Sequence, residues 1–153
     1  MNESFHIVTL GCSKNQVDSE GIARVLSQHG LTPVARPEDA RVLVVNTCGF
    51  LAASRQESVG VINELLETRR PDQVVIAAGC MASLDQHRQE IPEGVDAILS
   101  TREWANIGHV VGRLLGYEDI PPEPPFDPAG MLTTFTRRDA GPSAYVKIAD
   151  GCD

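Results

Sequence analysis

The chain has 153 residues, 42% of them hydrophobic, and a formal net charge of −8. That length and composition suit one globular domain with a sizeable core. They exclude a bilayer-spanning segment and a signal-peptide succession, and the acidity gives no electrostatic footprint for a phosphate backbone.

A first strand is expected over Phe5 to Leu10, ending at Gly11-Cys12. A helix follows from about Val17 to His29, with Ile22, Val25, Leu26 and His29 at helical spacing and Gly30 as its stop. A short strand near Thr32 to Ala35 and a Pro37-Glu38-Asp39 turn lead to the strand Val42 to Val45, which runs into Cys48. The next helix is expected from about Ala53 to Thr68, with Ser54 and Glu57 as a capping box and Val59, Ile62 and Leu66 as its buried stripe. Then come the strand Val74 to Ala78, Cys80, and a helix from about Ser83 to Glu90. A weaker strand, Ala97 to Leu99, precedes a last helix over about Arg102 to Leu115. Ser100 and Glu103 fit a second capping box there, and Trp104, Ile107, Val111 and Leu114 make the apolar face.

Short, mostly continuous apolar runs read as strands buried on both faces of a parallel sheet. Their alternation with helical patterns predicts an α/β fold: an open parallel sheet of about five strands, with helices on both faces. The flavodoxin-like order 2-1-3-4-5 makes the first, third and fourth strands neighbours, and those strands carry Cys12, Cys48 and Cys80. Adjacent strands lie about 4.8 Å apart, so thiols at three neighbouring strand ends can meet around a small object. The order 3-2-1-4-5 would separate them.

Three soft ligands at the carboxyl edge of such a sheet fit an iron–sulfur cluster held by thiolates with one iron left open. Gly11, Gly49 and Gly79 beside the cysteines allow close backbone approach. The competing reading is three ordinary buried cysteines. Zinc is weaker, since no C-x-x-C pair is present. In the expected compartment, the cytoplasm, four cysteines are poor grounds for disulfides.

After residue 116 the composition changes. Residues 117–142 contain Pro121, Pro122, Pro124, Pro125 and Pro128 and read as a stiff linker. The final run, 143–153, holds Ala144 to Ala149, strand-like, and then Asp150-Gly151-Cys152-Asp153. It is expected to be the truncated first strand of a further domain.

Four stretches together resemble the radical S-adenosylmethionine methylthiotransferases: Leu10 to Glu20, Asn46 to Phe50, Gly79 to Ala82, and Ala144 to Asp153. The Gly-Cys-Ser-Lys-Asn, Thr-Cys-Gly-Phe and Asp-Gly-Cys-Asp forms are similar to the ribosomal-protein branch (RimO type) rather than the tRNA-modifying branch. The resemblance implies that residues 1–116 are the N-terminal domain, whose Cys12, Cys48 and Cys80 bind an auxiliary 4Fe–4S cluster. It also implies that Cys152 is the first ligand of a second, radical-generating 4Fe–4S cluster, with the remaining ligands and the barrel for S-adenosylmethionine beyond this sequence. In the intact enzyme, again by resemblance, a 5′-deoxyadenosyl radical takes a hydrogen from the β-carbon of an aspartate. That aspartate belongs to small-subunit ribosomal protein twelve, and a methylated sulfur from the auxiliary cluster is added there. Such a fragment alone is expected to be inactive. No membrane is expected as partner, and nucleic acid is not the expected partner of this domain. A tRNA substrate, or a metal-free flavodoxin-like binding module, are the alternative readings.

Lys14 and Asn15 stand either towards the cluster or substrate or in a solvated turn. Asn46 and Thr47 are expected to satisfy loop backbone rather than cluster sulfurs. Asp18 and Glu20 suit the start of a helix. His6, His29, His87 and His109 lack ligand spacing, and Trp104 is expected in the core.

Overall fold

The computed structural model describes residues 1–117. Beyond Tyr117, the expected linker to residue 142, the strand at 143–153 and Cys152 lie outside the described residues. In chain order the elements are β1 (Ser4–Thr9), α1 (Ser13–Gln28), β2 (Thr32–Pro33), β3 (Val42–Thr47), α2 (Ala52–Thr68), β4 (Val74–Gly79), α3 (Cys80–Ser83), α4 (Asp85–Arg88), β5 (Ala97–Leu99) and α5 (Ile107–Leu114). All four strand pairings are parallel and the order is β2-β1-β3-β4-β5, as the sequence predicts.

Strand β3 is central, and all six of its residues are buried. Side chains alternate across a strand, so Val42 and Val44 join one core layer and Leu43 and Val45 the other. The first layer packs Ile22 and Leu26 of α1 and Ile107 and Val111 of α5, with Trp104, against Phe5 and Ile76. The second packs Ile62 and Leu65 of α2, with Met81 and Ala82, against Val75 and Ala77. Helices therefore cover both faces, which is what buries a parallel sheet. Helix α1 stops as expected: Gly30 N–H donates to Ser27 O (3.0 Å) and Leu31 N–H to Leu26 O (3.1 Å), the paired bonds of a Schellman end.

Several local expectations are corrected. Helix α1 begins at Ser13, four residues before Val17, because Cys12 takes the N-cap position. Asp18 and Glu20 consequently lie past its first turn, and Asp18 is buried. Ser54 and Glu57 are no capping box, since α2 starts at Ala52 with Leu51 as N-cap, so Ser54 is already inside the helix. Its carbonyl accepts a bond from Ser58 Oγ. The helix expected over 83–90 is two single turns, α3 and α4, broken at the extended Leu84. There Ser83 Oγ donates to Gly79 O and accepts from Thr101 N–H, a side-chain competition that interrupts helices. The last helix is a 3₁₀ turn, Trp104–Asn106, followed by α5, and Leu114 is exposed. At its approach the second box does form in part, with Ser100 N–H donating to Glu103 Oε2 at 2.9 Å.

Candidate functional site

Each of the three predicted cysteines follows a strand at the carboxyl edge: Cys12 after β1, Cys48 directly after β3, and Cys80 directly after β4. Thr9 pairs with Asn46, and Thr47 pairs with Gly79. That register carries Gly11 opposite Cys48 and Cys48 opposite Cys80. The backbones then close on one another. A Cβ on Gly11 would stand 2.6 Å from Cys48 Cβ and 2.8 Å from Cys48 Sγ, so Cys48 rests on the residue before Cys12. A Cβ on Gly49 would stand 3.0 Å from Met81 N and 3.3 Å from Cys80 C, so the next residue along rests on the start of α3.

None of the three cysteines is in a disulfide; Cys12 is exposed and the other two are half-buried. Cys12 caps α1 through its backbone alone, which leaves its sulfur uncommitted. The Cys48 loop is held by Ser58: Cys48 N–H donates to Ser58 Oγ at 3.2 Å, and the hydroxyl donates to Ser54 O at 3.0 Å. Arg55 Nη1 donates to Gly49 O and its Nε to Glu90 Oε2. His87, hydrogen-bonded to Glu90, together with Arg55 holds the Glu90 carboxyl below the ordinary glutamate range. Cys80 Sγ donates to Asn15 Oδ1 at 3.8 Å.

Beneath the thiols lies a buried polar lattice. Asn15 Nδ2 donates to Leu10 O (2.7 Å) and Thr47 O (2.9 Å). Asn46 Nδ2 donates to Asn15 O (2.8 Å) and Ser19 Oγ (3.0 Å), and Thr9 Oγ1 donates to the same Ser19 hydroxyl at 2.7 Å. Thr47 Oγ1 donates to Ala78 O at 2.7 Å, bridging β3 to β4. Asn46 and Thr47 thus serve backbone, as expected. Asn15 is not in a solvated turn: it is buried, ties loop backbone and touches a thiol. Ser19 and Ser58 were missed; serine at a buried helical position was the only signal available, and it is shared with many unremarkable helices.

Two polar atoms at this rim are left over. Lys14 Nζ and Asn46 Oδ1 are buried with no hydrogen-bond partner among the described residues. Buried donors and charges are nearly always paired, so exceptions need a reason. The donor chemistry of the rim, three cysteines outside any disulfide and a lysine two residues after Cys12 whose Nζ is buried without a hydrogen-bond partner, fits an anionic thiolate-held group. Among the described residues no three His, Cys, Asp or Glu side chains are grouped as ligands of a single metal ion. That disfavours zinc more than a cluster, whose three thiolates bind different irons and stand further apart than ligands of one ion.

At the opposite edge, by the starts of β3 and β4, a hollow is lined by Arg41, Arg69 and Arg70 with Asp72 and Asp96. Each arginine has a carboxylate partner: Arg41 pairs with Asp72 at 2.9 Å and Glu3 at 4.0 Å, Arg69 with Asp96 at 2.6 Å, and Arg70 with Asp72 at 3.1 Å. No described helix is long and apolar enough to cross a membrane.

Comparison with known proteins adds family to geometry. Residues 4–100 match the group described as uncharacterized protein family UPF0004. The chain is 46% identical over 170 residues to the ribosomal protein uS12 methylthiotransferase RimO of Roseiflexus sp. (strain RS-1), covering 97% of the chain and 36% of that relative. The protein of the same description from Chloroflexus aurantiacus is 44% identical over 167 residues, with coverage of 97% and 36%. That from Herpetosiphon aurantiacus is 41% identical over 180 residues, with coverage of 97% and 38%. The chain spans little more than a third of the length of these curated relatives.

Proposed function

The chain belongs to the uncharacterized protein family UPF0004, and on that footing we propose that it is the auxiliary-cluster domain of a methylthiotransferase acting on a ribosomal protein. Cys12, Cys48 and Cys80 would hold a 4Fe–4S cluster through three thiolates, and Cys152 would be the first ligand of a second one. When bound, the auxiliary cluster supplies an iron with an open position for the sulfur to be transferred. The substrate is the β-carbon of an aspartate in small-subunit ribosomal protein twelve, S-adenosylmethionine is the cosubstrate, and the compartment is the cytoplasm.

The chain's own residues have definable tasks. Register and glycine contacts bring the loops of the three thiols to one rim. Ser58 anchors the Cys48 loop and leaves its thiol free. Lys14 would supply a positive charge close to Cys12 along the chain, its Nζ being buried without a hydrogen-bond partner among the described residues. The N-terminus of α1, capped by the Cys12 backbone, favours negative charge at the same place.

The observation that carries this reading is the meeting of Gly11 with Cys48 and of Gly49 with the Cys80–Met81 backbone. Its test is anaerobic reconstitution with ferrous iron and sulfide, with Cys152→Ser present throughout. About four irons per chain and charge-transfer absorption near about 400 nm are expected, lost in each of Cys12→Ala, Cys48→Ala and Cys80→Ala. Iron retained by all three variants, or none taken up by the parent chain, overturns the reading in favour of a metal-free module.

A further inference from the structure

We propose that Asn15 is the positioning residue of this rim: its single carboxamide fixes the mutual spacing of the three thiol loops and thereby decides whether they can share one inorganic group. The proposal rests on the cluster reading given above.

Asn15 is 1% exposed, so water does not substitute for its bonds. Its backbone N–H donates to Cys12 O at 3.0 Å, and Nδ2 donates to Leu10 O, which together lock the first loop. The second Nδ2 hydrogen is donated to Thr47 O, the carbonyl immediately before Cys48. Oδ1 accepts from Cys80 Sγ on the third loop. One side chain therefore touches all three loops. Both Nδ2 hydrogens face carbonyl oxygens, so the amide cannot turn over without setting oxygen against oxygen. That fixes Oδ1 towards Cys80.

The residue is itself held. Its carbonyl accepts from Asn46 Nδ2, and Nδ2 lies 3.4 Å from where a Gly11 Cβ would be. The two Nδ2 bonds involve no ligand and persist when Cys80 gives up its proton to bind iron, so they act as the fixed spacer of the rim. Outer partners of ligands typically govern metal affinity by about 10–100-fold. No aliphatic residue can replace it. Leucine matches its size but leaves Leu10 O and Thr47 O without their donor. Aspartate matches its shape but turns both contacts repulsive.

The test uses the 153-residue chain carrying Cys152→Ser, alone and with Asn15→Leu, Asn15→Asp or Ile62→Ala. Ile62 is fully buried in the α2 layer and its aliphatic side chain makes none of the hydrogen bonds of this lattice, so its variant lowers stability without removing a bond of the rim. Each protein is reconstituted anaerobically with ferrous iron and sulfide and read by iron per chain, reduced-state EPR and thermal midpoint. Ile62→Ala is expected to melt lower yet load like the parent. Both Asn15 variants are expected to lose iron by about tenfold or more, with an altered EPR signal in what remains. Should Asn15→Leu fail to fold, isosteric Asn15→Asp carries the comparison. Parent-like loading and EPR in the folded Asn15 variants overturn the positioning role and leave the cluster reading standing. Equal loss in Ile62→Ala also overturns it, because uptake would then follow stability alone. A parent chain that takes up no iron overturns the cluster reading itself.

Discussion

Replacing Gly11 by alanine asks directly whether the Cys48 thiol rests on the first loop. Gly11 has φ +92°, a region in which an L side chain costs about 1–2 kcal/mol. The new Cβ would also stand 2.6 Å from Cys48 Cβ and 2.8 Å from its sulfur, well inside contact distance. Relieving overpacking of that kind costs roughly 1–3 kcal/mol more. The sum is about 2–5 kcal/mol, which at about 2–4 °C per kcal/mol for a chain of this length lowers the thermal midpoint by roughly 4–20 °C. Gly60→Ala is the control, because a Cβ there meets nothing within 4 Å and Gly60 lies in mid-helix in α2. It is expected to gain about 0.5–1 kcal/mol from helix propensity. Thermal melts followed by circular dichroism, with native-state alkylation of Cys48 as a second readout, measure both. Gly11→Ala should melt low and alkylate faster as the second loop is pushed away. If the two glycine variants melt together and Cys48 reacts as in the parent, the contact does not exist and the convergence argument fails with it.

Lys14→Met should act in opposite directions on the two forms of the domain. It relieves the burial of an unpartnered ammonium, worth about 1–3 kcal/mol of added stability in the iron-free chain, and weakens iron retention against a chelator. A less stable iron-free variant would remove Lys14 from the site. Ser58→Ala strips Cys48 N–H of its acceptor and should cost about 1–3 kcal/mol in urea denaturation, whereas a loss under about 0.5 kcal/mol would show that solvent replaces the hydroxyl. Glu103→Gln tests the partial cap before α5. The Ser100 N–H holds the Glu103 carboxyl below the ordinary glutamate range. A depressed folded-state pKa gives stability that is complete above the unfolded value and fades as pH falls through the folded one. The variant should therefore be about 0.5–1 kcal/mol less stable near neutrality, and the two denaturation midpoints should converge in acid. A gap that widens in acid contradicts the assignment.

The sheet was readable from sequence because its signals are redundant. Val42, Leu43, Val44 and Val45 are buried whichever face they point to, so an unbroken apolar run was enough to mark the central strand. The choice of strand order came from chemistry, since only one order makes the three cysteine-bearing strands neighbours, and the observed sheet has that order. Helix starts were misread where backbone, not side chain, does the capping. Cys12 and Leu51 cap α1 and α2 with no side-chain bond, so capping-box spelling pointed elsewhere. The stripe of α2 was legible at Ile62 but not at Ser58, whose burial answers to the Cys48 backbone rather than to apolar packing. Asn15 was legible as a candidate facing the cluster or substrate but not as a tie between loops, because its partners are carbonyls and a thiol brought near only by the register of β1, β3 and β4.

The two edges of the sheet differ in a way that bears on where function resides. At the amino-terminal edge, Arg41, Arg69 and Arg70 are each answered by Asp72 or Asp96, and Asp72 is held below the ordinary aspartate range chiefly by Arg70. That edge is electrostatically closed. At the carboxyl edge the backbone is held by Asn15, Asn46, Thr47 and Ser58, yet among the described residues Lys14 Nζ and Asn46 Oδ1 have no hydrogen-bond partner and three cysteines lie outside any disulfide. Phe50, Leu51 and Leu84, in the loops that follow Cys48 and Cys80, are more than half exposed. A fold that satisfies its polar groups at one edge and leaves them open at the other, while holding the open edge rigid, concentrates its unspent interactions where a ligand must supply them. Rigidity matters as much as openness here. Three thiols on slack loops would pair or oxidise singly, whereas the proposed locking of the three loops to one amide would present them together to whatever binds.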